Sequence, residues 1–234
     1  MNFKSTIPIF LVSAILIFIF WNCKKGSATI DPAIPSTTVT DIDGNVYHTI
    51  TIGTQVWMVE NLKTTKYRNG DQIPNVTANA SWAALTSGAY CWNNNDAANK
   101  VTYGGLYNWF AVVDSRSIAP ADWHVPTDAE WTTLTTYLGG DEGAGGPLKE
   151  TGTSHWITPN NGATNSTGFT ALPGGLRNFY DGTFNTVGYN GYWWSCTALD
   201  ASNAGRRSIN VNSVYAILSY ASKQHGLSVR CIRD

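Results

Sequence analysis

The sequence predicts an α+β fold, two helices packed on short antiparallel strands with long loops between them. Three observations carry this: one helix signed at both ends, several short runs with β-strand character, and dense glycine punctuation where charge would be expected. Of 234 residues only 13% are charged, while 22 are Gly, 10 Trp and 11 Tyr. An average chain carries roughly 25% charged residues, so Asn, Thr and Ser must supply the polar surface. That composition excludes a coiled coil, a helical bundle, a disordered tail and a multi-span membrane protein. The formal net charge of -1 provides no cationic field, so nucleic acid is excluded as a partner.

The chain opens with an apolar run, Ile7 to Trp21, interrupted by Pro8 and Ser13. It falls short of the ~20 residues of a comfortable span and suits the core of a signal peptide over residues 1–22. Cys23 stands directly behind it, where a bacterial lipoprotein leader is cut and the new N-terminal cysteine acylated. Phe20-Trp21-Asn22 departs from the small residue usual at that cut. In an uncleaved anchor, Lys24 and Lys25 would oppose export. The expectation is a lipidated Cys23, a tether over residues 23–38 containing Pro32 and Pro35, and one domain over 39–234. The expected location is the cell envelope, with the outer membrane as the anchoring bilayer.

Within the domain, Val46 to Ile52 and Gln55 to Glu60 form a hairpin across Gly53-Thr54. Asp41-Ile42-Asp43-Gly44 reads as the preceding turn, since a calcium loop would need later oxygen ligands and a distal Glu. Ser81 to Leu85 gives a short helical turn, and Ala89 to Trp92 a strand running into the polar loop Asn93 to Asp96. Leu106, Trp109, Phe110 and Val113 recur at helical spacing, predicting a helix over 103–113. The better-signed helix starts at Thr127, with Glu130 completing a capping box, and stops at Gly139-Gly140. Gly143 to Gly146, Thr158 to Thr167 and Pro173 to Gly175 mark long loops. Tyr192 to Cys196 is a strand, Arg206 to Val211 and Val214 to Tyr220 a hairpin, and Leu227 to Arg233 the closing strand.

Of four Cys, Cys23 is assigned to lipid, which leaves Cys91, Cys196 and Cys231. Alternation puts Cys196 and Cys231 on the more apolar faces of their strands. They form a disulfide if those strands are neighbours; the alternative is three buried thiols.

Seven ordered segments resemble the Fibrobacter succinogenes major paralogous domain. They are Gly53 to Leu62, Ala89 to Asp96, Tyr103 to Trp109, Trp123 to Thr127, Thr167 to Gly175, Gly191 to Ser195 and Ser228 to Cys231. The resemblance covers about Val39 to Asp234. It implies a C-type-lectin-like fold, related to the formylglycine-generating (sulfatase-modifying) enzymes and common in secreted bacterial proteins and lipoproteins. Family members commonly have Cys-Pro where this chain has Ala119-Pro120, and Ser where it has Cys196. The resemblance therefore supports an exchanged pairing, Cys196 with Cys231. The closely spaced copper-binding cysteines of the modifying enzymes are absent, so their chemistry is not carried over.

The residues assign no catalytic group, cofactor or metal. The histidines His48, His124, His155 and His225 show no zinc-binding spacing, and His124, beside Trp123, reads as structural. No nucleophile elbow or phosphate loop occurs. A binding role is expected instead, on Trp92, Asn93, Asn94, Asn95, Asp96, Trp156, Arg177, Tyr180, Tyr192 and Trp193. These combine flat aromatic faces with amide and guanidinium hands, the pairing that sugars require. Burial of Trp193 between loops is the alternative for that residue. Arg230 is expected to tie the terminal strand to nearby loops. The expected partner is a glycan or surface protein, with a structural or adhesive module as the alternative and a hydrolase or modifying enzyme as the third.

Overall fold

The Asp-Gly turn, the Gly-Thr turn and the β-branched residues between them build the first sheet. The computed structural model describes Met1 and residues 37–234; the expected signal peptide beyond Met1, Cys23 and nearly all of the expected tether lie outside the described residues. β1 (Thr37–Thr40), β2 (Val46–Ile52) and β3 (Gln55–Met58) form an antiparallel meander with Ile50 opposite Trp57. The turn before β2 is locked by carboxylates. Asp41 accepts from the backbone N–H of Asp43 and Asn45, and Asp43 accepts from Thr65. Both acids are spent on turn geometry.

α1 (Asn79–Ala83) and β4 (Tyr90–Trp92) follow, then a 3-10 turn at Asn93–Asn95. The expected helix over 103–113 does not form. α2 (Asn99–Tyr103) stops at Gly104, whose φ is 72°. β5 (Gly105–Tyr107) then pairs with β4, and α3 (Trp109–Val112) starts anew on an Asn108 cap. The left-handed glycine breaks the helix, and a short apolar run next to a waiting strand edge becomes a strand.

β6 (Trp123–His124) leads into α4 (Asp128–Tyr137), where the capping box is complete. Thr127 Oγ1 accepts from the Glu130 N–H at 3.2 Å, and Glu130 Oε2 accepts from the Thr127 N–H at 2.8 Å. Contrary to the loop expected at Gly143 to Gly146, α5 (Asp141–Leu148) is helical through its glycines. The reason is close approach: a Cβ at Gly145 would collide with the backbone of Val214 and Tyr215, and one at Gly146 with that of Gly162.

β7 (Leu176–Arg177) and β8 (Phe184–Asn185) form a small hairpin. β9 (Asn190–Ala198), β10 (Asn203–Asn210) and β11 (Ala216–Ser222) form a three-stranded antiparallel sheet in the order β11-β10-β9. The expected closing strand shrinks to β12 (Ile232–Arg233), which joins the first sheet in the order β1-β2-β3-β12-β6. The described residues thus hold five α-helices and twelve strands, an α+β architecture. None of these helices is long and apolar enough to cross a membrane.

Trp57, Trp131, Trp156, Phe169 and Trp193 make one aromatic core, with Trp57 and Trp131 ring centroids 4.7 Å apart. Buried cations stitch the loops to it. Lys149 donates to the carbonyls of Asn161, Asn210 and Ser213. Arg230 donates to Asn61 Oδ1 and the Phe169 carbonyl, with its guanidinium 4.1 Å from the Phe169 centroid. Arg230 therefore ties the terminus to loops as expected, through an amide and a carbonyl.

The Cys196–Cys231 disulfide is not formed; Cys91, Cys196 and Cys231 are free thiols. β9 runs beside the terminal segment only near the Trp193–Ser228 bridge. Past it the two diverge: the Cys196 N–H donates to the Pro126 carbonyl, whereas the Cys231 carbonyl accepts from Met58.

Candidate functional site

Four of the expected ligand contacts are interior. Trp156, Trp193, Arg177 and Asn93 are each 0% exposed. Trp156 donates its indole N–H to the Ala171 carbonyl, and Trp193 to Asn61 Oδ1. Arg177 lies between the rings of Trp82 and Phe184 and donates to the carbonyls of Val76, Thr77 and Gly182. Asn93 donates its amide to the Gly174 carbonyl. These side chains hold loops together, and no ligand can reach them.

The 93–96 loop is a turn device. Asn94 and Asn95 have φ of 53° and 55°, which suits asparagine. Asn95 donates to the Thr77 carbonyl, and Asp96 Oδ1 accepts from Ala98. Trp92 is half-buried, with the Lys100 ammonium 5.5 Å over its ring. Asn94, Asn95 and Asp96 remain exposed, but away from a free aromatic face.

The other two candidates, Tyr180 and Tyr192, are joined by residues the sequence reading did not single out. Tyr192 is paired with Ser208, and Ser208 with Ile217, so all three share one face of the β9–β11 sheet. One register step on, Arg206 lies opposite Trp194 and Ser219 on the same face. Its guanidinium sits 4.6 Å from the Tyr192 ring centroid, and its Nε donates to Ser219 Oγ at 3.2 Å. Asn190 and Asn210, paired side chain to side chain at 2.7 Å, continue the face.

Beyond β9, the chain before Leu227 brings in His225. The Phe179 ring lies 4.9 Å from the His225 ring and 5.4 Å from Tyr180, which is 66% exposed. Burial, with the nearby Arg206 charge adding to it, pushes His225 down to about 4, so the ring is neutral at pH 7. Ring contacts thus join Tyr180, Phe179 and His225, and the Arg206–Tyr192 stack lies near enough for its charge to act on His225; the five make up the candidate stripe.

Arg206 forms no carboxylate ion pair among the described residues, in contrast to Arg116 and Arg207, which have theirs. Burial lowers its pKa from the ordinary value, and the Tyr192 phenol acts in the opposite direction. Sequence could have found Arg206 only with the strand register in hand, because Arg206 and Ser208 meet Tyr192 through strand pairing, not through proximity in the chain.

Other polar clusters are structural. His124 is held at both ring nitrogens, by Asp234 at 2.5 Å and Glu130 at 2.8 Å. His155 Nδ1 meets both Glu150 oxygens at 2.9 Å. A hollow of about 300 Å³ between Thr40–Ile42 and Ile118–Ala121 is walled by Arg68. The Arg68 guanidinium is spent on the carbonyls of Ala119, Pro120 and Trp123. Among the described residues no group of three or more His, Cys, Asp or Glu is arranged to hold a metal.

Comparison with curated proteins finds no match, and comparison with solved structures finds none either. The model of the Fibrobacter succinogenes major domain, in contrast, matches residues 50–233. That span runs from β2 through β12 and includes every residue of the stripe. The chain belongs to the Fibrobacter succinogenes major domain family.

Proposed function

We propose that this protein is a non-catalytic recognition module of C-type-lectin-like type that binds a glycan across the Tyr180–Tyr192 stripe. One observation carries the reading. Tyr180, left 66% exposed, is linked through the Phe179 and His225 rings towards a half-buried arginine that is stacked on Tyr192 among serine and asparagine side chains. Sugars bind where C–H faces can lie on a ring while hydroxyls meet amides, hydroxyls and guanidinium groups. Tyr180 offers the free ring; the Tyr192 ring is covered by Arg206, so Tyr192 holds the guanidinium and offers its hydroxyl. The buried cations and tryptophans keep this face rigid, which lowers the ordering cost of binding.

Anchoring by a lipid on Cys23, after removal of residues 1–22, would hold the module on the outer membrane of the cell envelope. Intact mass of the mature N-terminus tests that part directly. A lipidated Cys23 supports it, and a chain starting at an unmodified Met1 contradicts it.

An immobilised glycan panel tests binding, with soluble sugar as competitor and mass spectrometry of the sugar afterwards. Competed binding with the sugar unchanged supports the reading; cleavage or modification of the sugar contradicts it. A protein partner is favoured by a different observation. β11 is the edge of its sheet and exposes Ile217 and Tyr220, a surface suited to strand addition in an adhesive assembly. Capture of a protein in the absence of any glycan response would select that reading.

A further inference from the structure

We infer that the glycan recognised on this stripe carries a carboxylate, placing it in the uronic-acid class, with Arg206 as the hand that reads the charge. This rests on the glycan reading above and adds the chemistry of the ligand. The Arg206 guanidinium is stacked on Tyr192 and fixed at Nε by Ser219, which sets its plane. Neither terminal nitrogen has a hydrogen-bond partner among the described residues, whereas those of Arg116, Arg177, Arg207 and Arg230 do. A held, half-buried fork with two free N–H edges matches a planar carboxylate, which accepts in a bidentate manner.

The surroundings select a single negative charge on a polyhydroxylated body. His225 contributes no charge, and Ser208, Ser219, Asn190 and Asn210 bring neutral donors and acceptors. Phosphate and sulfate sites gather several cations or a helix N-terminus, whereas the Arg206 guanidinium has one ring and one hydroxyl as its partners among the described residues. An acidic oligosaccharide with one ring on Tyr180 and a uronate carboxylate at Arg206 would use both ends of the stripe.

The test pairs polygalacturonate, alginate and hyaluronate with their carboxyl-reduced, neutral counterparts, using the purified protein and its Arg206→Gln and Arg206→Lys variants. At least one acidic polymer is expected to bind at least tenfold more tightly than its reduced form, with affinity falling as salt rises. Arg206→Gln is expected to abolish that preference while retaining weak binding of the reduced polymer, and Arg206→Lys to restore only part of it. Thermal melting of each variant separates lost recognition from lost folding. Equal binding of the acidic and reduced forms overturns the carboxylate inference and leaves the glycan reading standing. Binding to none of these polymers overturns the inference too, and a blank response from a broad neutral panel would then remove the glycan reading as well.

Discussion

His124 Nε2 lies 2.8 Å from Glu130 Oε1, and the second oxygen of the same carboxylate closes the capping box of α4. One side chain thus fixes a helix start and, through His124 and Asp234, the end of the chain. Burial alone would lower His124, but Asp234 and Glu130 outweigh it and raise its pKa above the ordinary 6.5. Burial alone would raise Glu130, but the Thr127 N–H and hydroxyl, then His124, bring it below the ordinary 4.5. A raised histidine contributes stability below 6.5 that disappears as pH climbs through its folded value. A lowered carboxylate contributes above 4.5 and fades as pH drops through its folded value. The pair therefore supports the fold best between those two values. The melting advantage of wild type over His124→Gln should be largest near pH 5.5 and shrink by pH 8.5. Thr127→Ala should cost about 1 kcal/mol in urea unfolding at either pH.

Two aromatic residues proposed as sugar contacts should separate core from surface. Trp193 is 0% exposed and donates to Asn61, so Trp193→Ala should lose about 3–5 kcal/mol. Tyr180→Ala, at an exposed hairpin tip, should stay within about 0.5 kcal/mol of wild type. Urea unfolding of the two variants checks this, and equal losses would contradict the burial assignment.

Lys149 is 0% exposed, and its ammonium serves three carbonyls from two loops. Lys149→Met keeps the aliphatic stem and removes all three bonds, orphaning acceptors at about 1–3 kcal/mol each where water cannot enter. A loss of about 3 kcal/mol or more is expected at pH 7. Hydrogen exchange should rise first around residues 160–164 and 210–214.

The cysteines give a covalent check. Burial pushes the Cys91 thiol up to about 12, raises Cys231 still further, and raises Cys196. A thiol reagent at pH 7.5 should leave Cys91 and Cys231 untouched in the folded protein and label both after denaturation. Loss of two hydrogens in the intact mass of the non-reduced protein, mapped to Cys196 and Cys231, would contradict the free-thiol arrangement.

Much of the framework is local in origin and could be read from the chain. The 46–58 hairpin, the strand at 90–92 and the capped helix at 128–137 follow from alternation, turn residues and Thr127–Glu130. What failed was decided by neighbours distant in sequence. The apolar spacing of Leu106, Trp109 and Phe110 fits a helix, yet the edge of β4 draws Leu106 into a strand. α5 is helical despite its glycines because a loop backbone needs their missing side chains. Aromatic residues suited to a sugar are equally suited to a core, and tertiary burial put Trp156 and Trp193 inside. The same packing left Tyr180 out and set Arg206 against Tyr192, a relation that exists only once β9 and β10 are in register.

Backbone and side-chain chemical-shift mapping with the best-binding glycan tests the central claim most directly. The account predicts saturable shifts centred on Tyr180, Phe179, His225, Arg206 and Tyr192, lost in Tyr180→Ala while the rest of the spectrum is unchanged. Shifts centred on Asn94 to Asp96, or on the hollow beside Arg68, with the stripe unmoved, would contradict it.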